Sequence, residues 1–464
     1  MSAPRSGPPR LALHICAAAL VVIVLAACKS GNGGGDGGSS AGSSGSGNDS
    51  GFGGGSSSYV LYGLNFSPYV GRQDPNAGAT VDSVQIRERL QLLVPGGQRD
   101  SDWIRTFGVS GGLELVPRIA QELGFKTAVG AWLGPDLDAN AREISTLIRL
   151  INADFVDLAI VGSETLVRGD LTSSQLVNYI DRVRRATERK GIPVTTADRY
   201  GQLLDNPNVI AASSVVMPNY YPYWEGVDIA DAIPILHSWH LRMLAAAGNK
   251  AIIVSESGWP SDGDSLGDAD PSPENAAKYF LDFVSWARAE KVNYFYFEAL
   301  DQPWKAAYEG AVGAHWGIRD QAGVLKEGMN AVFNNNTVDD YWTPRIIDGP
   351  GDPEITLTFV PPRGSFANLR GAVSHVNPLA YNVAVYIRVG SGWWTKPTLE
   401  NPLTPIVSNG NWSTDITTGG DDQLATEIAA YLIPAEYSPP PMSGETRLPA
   451  ELDANAVASV TAKR

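Results

Sequence analysis

Cysteine is almost absent from this chain of 464 residues: the two that occur, Cys16 and Cys28, both lie among the first thirty. The rest of the chain can therefore form neither a disulfide nor a thiolate metal site. Histidine is scarce as well, with five in all. His237 and His240 share the spacing of one helical face, but no carboxylate joins them at the spacing of a metalloenzyme motif. We expect neither a metal nor an organic cofactor.

Positive charge is also in short supply, with 35 Lys and Arg against 50 Asp and Glu and a net charge of −15. No basic stripe is available to neutralise phosphates, which argues against a nucleic-acid partner. The balance fits a neutral substrate or simple solubility. Hydrophobic residues make up 43% and charged residues 18% of the chain. A sizeable core can form, and the length suggests two or three domains.

The N-terminal residues have the pattern of a targeting signal. Arg5 and Arg10 precede an apolar run over 11–27, the pattern of a secretory signal peptide. The run ends in Leu-Ala-Ala-Cys28, which resembles the bacterial lipobox, whose peptide is cut before the lipid-bearing cysteine; a plain signal or a membrane anchor is the alternative. A Gly/Ser-rich linker over 28–58 is too polar to fold and behaves as a tether. We expect a cell-envelope lipoprotein, held at a membrane by Cys28 and working outside the cytoplasm, on the periplasmic side of the outer membrane or at the cell surface.

Two short motifs carry the chemistry: Val161-Gly162-Ser163-Glu164 and Val254-Ser255-Glu256-Ser257-Gly258-Trp259-Pro260-Ser261. Each places a glutamate at the end of an apolar, β-branched run that is typical of a buried parallel strand. Barrel enzymes carry their catalytic groups at this end of their strands. Two carboxyl groups on different strands suggest the acid and the nucleophile of a glycosidase.

Strand-like and helix-like segments alternate over 59–337 and predict a (β/α)8 TIM barrel. Thr172 and Gln175 predict a capping box at the start of one helix running to Lys190, and Ser272 followed by Pro273 predicts the start of another. Glu164 then ends the fourth strand and Glu256 the seventh, across the barrel mouth from each other. The eight predicted strands are 62–69, 104–107, 127–132, 158–161, 194–197, 215–219, 251–255 and 294–298.

The motif at 254–261 resembles the nucleophile motif of glycoside hydrolase family 17, the β-1,3-glucanase and glucanosyltransferase family. Residues 160–166 are similar to the acid/base strand of that family, and 221–225, 294–305 and 313–317 match its bacterial and fungal members. The resemblance covers roughly 60–330. It implies a retaining enzyme that acts on β-1,3-glucan or its oligosaccharides through a covalent glycosyl-enzyme, with Glu164 as acid/base and Glu256 as nucleophile.

The chain departs from that pattern at one position. Glycosidases of this barrel type have asparagine before the acid/base, where it binds the sugar 2-hydroxyl, but here the residue is Ser163. Serine is shorter and needs a bridging water to make the same contact. The departure puts catalytic efficiency in doubt and is compatible with an altered acceptor or linkage preference.

Further candidates for substrate contact lie at or near the predicted strand ends. Aromatic rings stack on the C–H faces of sugars, and among the aromatic residues after the sixth strand we favour Tyr223 and Trp224. Core packing or structural ion pairs would explain the same residues. The full set of substrate-contact candidates is Tyr62, Asn65, Arg105, Trp132, Ser163, Tyr223, Trp224, Glu298, Asp301, Trp304 and Lys305.

From about residue 341 the pattern changes to short strands separated by glycine, proline and asparagine, predicting a small antiparallel β-sandwich over 341–434 and a flexible tail over 435–464. Trp393, Trp394 and Trp412 raise the idea of a carbohydrate-binding module; core packing in an inert spacer domain is the alternative. The predicted strands are 355–359, 369–374, 381–389, 412–416 and 426–432.

Four functions follow from these observations. Hydrolysis of β-1,3-glucan with retention leads, and transfer of the glycosyl unit to another sugar is a close rival. A non-catalytic glucan-binding lipoprotein and a structural envelope protein are the other two. The presence of both glutamates argues against the non-catalytic binding lipoprotein, and a structural envelope protein would have no affinity for saccharides.

Overall fold

The computed structural model describes residues 59–338, 351–407 and 410–464. The predicted signal peptide, Cys28 and the Gly/Ser-rich linker lie outside the described residues, as does the start of the predicted sandwich at 341. In the described parts of the chain, no helix combines the length and the apolar character needed to cross a membrane.

Eight parallel strands close into a barrel, each pairing with the next and the last with the first. The predicted (β/α)8 barrel is therefore confirmed. The fourth and seventh strands carry the two glutamate motifs, as expected from the sequence. The strands are β1 (Leu61–Asn65), β2 (Ser101–Arg105), β3 (Lys126–Ala131), β4 (Leu158–Ser163), β5 (Val194–Arg199), β6 (Met217–Asn219), β7 (Ile253–Ser257) and β8 (Asn293–Tyr296).

Helices surround this barrel, and both predicted helix starts are confirmed. The capping box of Thr172 and Gln175 opens one helix, and Ser272 caps another that has Pro273 in its first turn. The first of these ends at Ala186 rather than Lys190, because a 3-10 turn follows and Gly191 adopts a left-handed φ of 66°. The helices are α1 (Ser83–Gln91), α2 (Val116–Glu122), α3 (Leu137–Asn152), α4 (Ser173–Ala186), α5 (Tyr200–Asp205), α6 (Pro207–Ala212), α7 (Ala232–Ala247), α8 (Pro273–Ala289), α9 (Ala306–Glu309) and α10 (Asn330–Phe333).

Apolar side chains fill the barrel and leave the polar residues at its carboxyl end. The interior cluster comprises Ala128, Leu158, Ile160, Ala197, Met217, Ile253 and Phe295. A larger core lies between the strands and the helices around them. Because both faces of each strand are packed, the residues at the strand ends stand on a rigid support.

The C-terminal region is antiparallel β-structure, as predicted. One sheet has the order β14-β10-β9, the other the order β16-β12-β11-β15-β17, and β13 pairs with β11. Both sheets contribute to one core, with Val373 and Trp412 from the first against Val385 and Ile428 from the second. The strands are β9 (Glu354–Phe359), β10 (Leu369–Ser374), β11 (Tyr381–Val389), β12 (Gly392–Lys396), β13 (Leu403–Pro405), β14 (Asn411–Thr414), β15 (Glu427–Pro434), β16 (Ser443–Glu445) and β17 (Ala458–Lys463).

The expectation of a flexible tail over 435–464 is wrong. Residues of β17 pair with β15 over its length, and a short helix, α11 (Ala450–Asn455), precedes it. Met442 and Leu452 are buried against the outer face of the larger sheet. The segment is therefore held by backbone pairing on one side and by apolar contacts on the other.

Candidate active site

The Glu256 carboxylate sits at the centre of the barrel mouth and accepts three hydrogen bonds. Arg105 Nη1 lies 2.8 Å and Ser163 Oγ 3.3 Å from Oε1, and the Tyr221 hydroxyl lies 2.9 Å from Oε2. Glu256 is 6% exposed. Burial raises the pKa of the Tyr221 hydroxyl well above its ordinary value, so this group remains a donor. With donors at both oxygens, the site is arranged for an ionised carboxylate.

Arg105, at the end of β2, is fully buried and organises this arrangement. Its guanidinium reaches Glu256, donates from Nη1 to Asn65 Oδ1 at 2.6 Å and donates from Nη2 to Ser163 Oγ at 3.0 Å. Asn65 in turn donates to the carbonyl oxygens of Ser255 and Phe295 at 3.1 and 3.0 Å. One network thus links β1, β2, β4, β7 and β8 and holds the Glu256 side chain in place.

Glu164 follows β4 in an unusual backbone conformation. Its φ is 55°, in the left-handed region, and its N–H donates to the carbonyl of Ala197 at 2.8 Å. Residues other than glycine seldom adopt this φ, and those that do are concentrated at functional sites. Asn219 on β6 donates from Nδ2 to Glu164 Oε1 at 2.9 Å.

The environment raises the pKa of Glu164 to about 7, chiefly through burial and then through the charges of Glu256 and Asp198. The hydrogen bond from Asn219 and the charge of Arg168 act in the opposite direction. A carboxyl group with this pKa keeps its proton near neutral pH. The site therefore combines a carboxyl group able to donate a proton with a second carboxylate held by donors.

Both glutamates face one cavity of about 390 Å³. Its walls are mainly aromatic and small side chains, with a few polar groups. Arg168 stacks 4.3 Å above the Trp132 ring and donates to the carbonyl of Ser163 at 2.6 Å, which fixes that side of the cavity. The lining residues are Phe66, Ser67, Tyr69, Pro75, Asn76, Gly78, Ala79, Thr80, Thr106, Phe107, Gly108, Ser110, Gly111, Leu113, Trp132, Ser163, Glu164, Arg168, Glu256, Phe297, Trp304, Lys305 and Glu309.

The predicted site residues do not all lie in one place. Glu164, Glu256, Trp132, Ser163, Trp304 and Lys305 line the cavity. Asn65 and Arg105 lie behind it and hold Glu256 instead. Tyr62 lies near the start of β1, at the opposite end of the barrel, where it stacks on Trp103 at 5.8 Å. The prediction that Tyr62 contacts substrate is therefore wrong.

Tyr223 and Trp224 also lie outside the cavity lining. They belong to a 3-10 turn after β6, where Tyr223 is 1% exposed and donates to the carbonyl of Asp264 at 2.6 Å. Trp224 packs on Tyr223 and on Trp316, with ring centroids 5.0 and 5.6 Å away. The structure favours core packing for this pair, not the sugar contact that we predicted.

Glu298 and Asp301 are buried in ion pairs. Lys305 Nζ lies 2.6 Å from Glu298 Oε1, and Lys326 Nζ lies 2.7 Å from Asp301 Oδ1. Burial raises the pKa of Glu298 to about 7 and also raises that of Asp301. These two carboxyl groups do not line the cavity, and only Lys305 of this set does.

Among the residues of the site that were not predicted are Asn219, Tyr221, Arg168 and Glu309. Tyr221 and Asn219 could have been predicted from the sequence, because they lie at or just after the end of the sixth predicted strand. Burial raises the pKa of Glu309, on α9, to about 7, and the charge of Glu256 adds to this. Glu309 belongs to a four-residue helix after β8, and nothing in its local sequence distinguishes it from a surface glutamate.

Comparison with known proteins finds a matching family and similar proteins. Residues 63–317 match the family described as the BtgE/BtgC glycoside hydrolase domain. The chain is 32% identical over 254 residues to glucan 1,3-β-glucosidase BGL2 of Candida albicans, a match that covers 50% of this chain and 82% of that protein.

Solved structures point the same way. The β-1,3-glucanosyltransferase of glycoside hydrolase family 17 from Rhizomucor miehei is 30% identical, with a TM-score of 0.52 over 58% of this chain and 96% of that one. An active-site mutant of that enzyme in complex with laminaritriose matches with the same figures. The resemblance to family 17 drawn from the sequence motifs is confirmed.

Proposed function

The chain belongs to the family of the BtgE/BtgC glycoside hydrolase domain and is a glycosidase, and we propose that it cleaves β-1,3-glucan with retention through a covalent glycosyl-enzyme. The observation that carries this proposal is that Glu164 and Glu256 face one cavity in unlike environments. The named activities of the relatives, a glucan 1,3-β-glucosidase and a β-1,3-glucanosyltransferase, support the substrate class.

In the first step Glu256 attacks the anomeric carbon of the bound sugar. Glu164 gives its proton to the glycosidic oxygen as the bond to the leaving sugar breaks. The contacts of Arg105 and Tyr221 hold the attacking carboxylate in one orientation, so little reorganisation is needed when it reacts. The product of this step is a glycosyl ester on Glu256, with Glu164 ionised.

In the second step Glu164 acts as a base. Once Glu256 is an ester, its negative charge no longer raises the pKa of Glu164, which therefore stays ionised and can accept a proton. A water or a sugar hydroxyl attacks the anomeric carbon, its proton passes to Glu164, and the ester bond to Glu256 breaks. Two inversions leave the anomeric configuration unchanged.

Incubation with laminari-oligosaccharides, followed over time by anomeric ¹H NMR, tests this proposal. We expect β-configured products at the start of the reaction, and loss of activity of at least about 1,000-fold in Glu256→Gln. Glu88→Gln, an exposed glutamate on α1, is the matched control and should retain activity. Products of α configuration, or a Glu256→Gln variant as active as the wild type, would contradict the mechanism.

Transfer to another sugar is the second candidate, favoured by the Rhizomucor miehei glucanosyltransferase, which this chain matches over 96% of that protein. It shares the first step and differs in the acceptor of the second. Products longer than the starting oligosaccharide, in the same time course, distinguish transfer from hydrolysis. Binding of glucan by both wild type and Glu256→Gln without any turnover would favour the non-catalytic binding lipoprotein.

We also propose that the enzyme is a lipoprotein of the cell envelope, attached through Cys28. The support is the sequence alone: an apolar run that ends at a cysteine, followed by a polar, Gly/Ser-rich tether. Labelling with an alkyne palmitate analogue should modify the wild type in a bacterial host and leave Cys28→Ser unlabelled. Equal labelling of both proteins, or a soluble wild type, would count against lipid attachment.

A further inference from the structure

Three tryptophans of the C-terminal sandwich were candidates for sugar contact, and their surroundings differ. Trp393 packs in the cluster on the outer face of the larger sheet and is 8% exposed. Trp412 lies in the core between the two sheets and is 2% exposed. Trp394, by contrast, is 40% exposed. The first two are core residues, so among the three only Trp394 presents a ring to a ligand.

Trp394 lies on the inner face of the larger sheet, where the smaller sheet does not cover it. It pairs in register with Ile387, a fully buried residue of the shared core, so the two side chains share one face. The smaller sheet contacts the larger one through β9, which packs against β15 and β17, and through β14, which contacts β13. The strands β12 and β16 lie at the other edge. The Trp394 ring therefore faces solvent at that edge of the sandwich.

The neighbouring strand β16 supports the Trp394 ring. Trp393 pairs with Glu445 and Trp394 with Ser443, so Gly444 is the extra residue of a β-bulge. Its φ is 119°, which favours glycine. A Cβ atom at this position would lie 3.4 Å from ring atom Cζ2, so the backbone of Gly444 lies directly beside the ring. The bulge thus holds one edge of the indole and leaves the exposed part open.

Polar groups lie next to this ring. Ser443, the register partner of Trp394, and Glu445 are both exposed. Glu445 Oε2 accepts a hydrogen bond from Ser443 N at 2.6 Å, which holds the carboxylate beside Ser443. A sugar ring has apolar C–H faces that stack on an indole, and its hydroxyls can donate to a serine hydroxyl or a carboxylate. The arrangement therefore suits a neutral sugar, whereas the carboxylate disfavours an anionic one.

The sandwich is attached to the catalytic domain at the connection after β7. Arg370 Nη2, on β10, lies 2.8 Å from Asp268 Oδ2. Asp268 N in turn donates to the carbonyl of Gly226, just after the turn that follows β6. Both connections leave the carboxyl ends of their strands, the end of the barrel at which the two glutamates lie. A long chain bound by the sandwich is therefore kept near the cavity.

We infer that Trp394, Ser443 and Glu445 form a binding site for a β-1,3-glucan chain, separate from the catalytic cavity. The inference rests on the proposed function, since the linkage of the glucan is that of the proposed substrate. The sandwich lies outside residues 63–317, which match the glycosidase family, so the site adds to what that domain supplies. The net charge of −15 fits a neutral polysaccharide better than an anionic polymer or membrane. Binding there raises the concentration of polymer at the cavity.

Binding to curdlan, an insoluble linear β-1,3-glucan, tests the inference in the full chain with Glu256→Gln to stop turnover. We expect Trp394→Ala to raise the dissociation constant about tenfold, because the stacking surface is lost. Val457→Ala, at a similarly exposed position next to the opposite edge strand β17, is the matched control and should bind like the parent. Equal binding by Trp394→Ala and the parent would overturn the inference.

Glu445→Ala provides a second variant that leaves the apolar contacts of the sandwich in place. We expect it to raise the dissociation constant for curdlan about two- to fivefold, because an acceptor for sugar hydroxyls is lost. Circular dichroism checks that each variant is folded. If Trp394→Ala does not fold, Glu445→Ala decides the question, and binding as tight as that of the parent would then count against the site.

Kinetics of the active chain distinguish this inference from the proposed function. We expect Trp394→Ala to lower the rate on dilute curdlan about tenfold relative to its rate on laminarihexaose, because the short substrate reaches the cavity without help from the sandwich. An unchanged ratio of the two rates would overturn the inference and leave the proposed function intact. A wild type that cleaves neither substrate would overturn the proposed function, and the binding measurements would still decide whether Trp394 holds glucan.

Discussion

Asn219 donates a 2.9 Å hydrogen bond to Glu164 and is itself the register partner of Glu256 on the neighbouring strand. Asn219 thus connects Glu164 to the strand that carries Glu256. Its second hydrogen bond, accepted from the Ser255 hydroxyl, fixes which way the amide faces. The position of Asn219 makes the charge state of Glu164 adjustable by a single substitution.

Asn219→Ala should move the basic limb of the pH profile upward. The Asn219 hydrogen bond favours the ionised form of Glu164, so its loss raises a pKa that is already about 7. We expect the basic limb of kcat/KM to shift upward by up to about one pH unit. We also expect kcat to fall, because the Glu164 carboxyl group loses the hydrogen bond from Asn219 that positions it. Asn178→Ala, at an exposed position on α4, is the control. A downward shift would contradict the assignment of Glu164 as the acid.

Arg105→Lys should lower kcat although the positive charge is kept. Lysine cannot contact Glu256, Asn65 and Ser163 at once, as the planar guanidinium does. We expect kcat to fall at least about 100-fold and the free energy of unfolding to fall by about 1–3 kcal/mol. Steady-state kinetics and urea unfolding measure the two effects. Arg87→Lys, at the exposed surface, should change neither; a kcat within threefold of wild type in Arg105→Lys would refute the positioning role.

The protein should be more stable at about pH 5 than at about pH 8. Burial raises the pKa values of Glu164, Glu298 and Glu309 to about 7 and that of Asp198 to about 6. Between their ordinary values near 4 and these raised values, the native state holds protons that the unfolded chain has released. The free energy of unfolding therefore falls as pH rises through this window.

Thermal unfolding at the two pH values checks this expectation. Glu309→Gln removes one of the groups without breaking an ion pair of the described structure, so it should reduce the difference in Tm between pH 5 and pH 8. A wild-type Tm that is equal or higher at pH 8 would show that other groups outweigh these four.

Val460→Asp should destabilise the C-terminal sandwich. Val460 is half-buried on β17 and packs on the core shared by the two sheets, whereas its neighbour Thr461 is exposed on the other face. We expect Val460→Asp to lower the free energy of unfolding by about 1–3 kcal/mol and Thr461→Asp to change it by less than about 0.5 kcal/mol. Urea unfolding followed by tryptophan fluorescence compares them, since Trp412 reports from the same core. Equal effects of the two would mean that β17 does not cover this core.

Most of the barrel could be predicted from the sequence, because its strands are short, continuous apolar runs and its helices carry clear capping residues. The two glutamates could be placed as well, since parallel strands bring their carboxyl ends to one side. The error at Tyr62 came from the strand bounds: the prediction ran over 62–69, but the strand ends at Asn65, which leaves Tyr62 at the far end of the barrel.

Other features depend on tertiary contacts that no local pattern reports. Tyr221 belongs to the site and Tyr223 does not, because a turn directs the Tyr223 side chain into the core. Glu309 reaches the cavity because two short helices follow β8. The ordered C-terminus was missed because β17 consists mostly of small residues with weak alternation, and its pairing with β15 supplies the stability that its own sequence does not indicate.

The left-handed backbone at Glu164 has a consequence for the evolution of this chain. An L-residue with a side chain in that conformation costs about 1 kcal/mol or more relative to glycine, and the surrounding fold must absorb the difference. Glu164→Gly would thus relieve the turn while removing the proton donor. Variants selected only for heat resistance should accumulate glycine or asparagine at position 164. Variants selected for turnover should keep the glutamate. The residue at this position in a homologue therefore indicates which kind of selection acted on it.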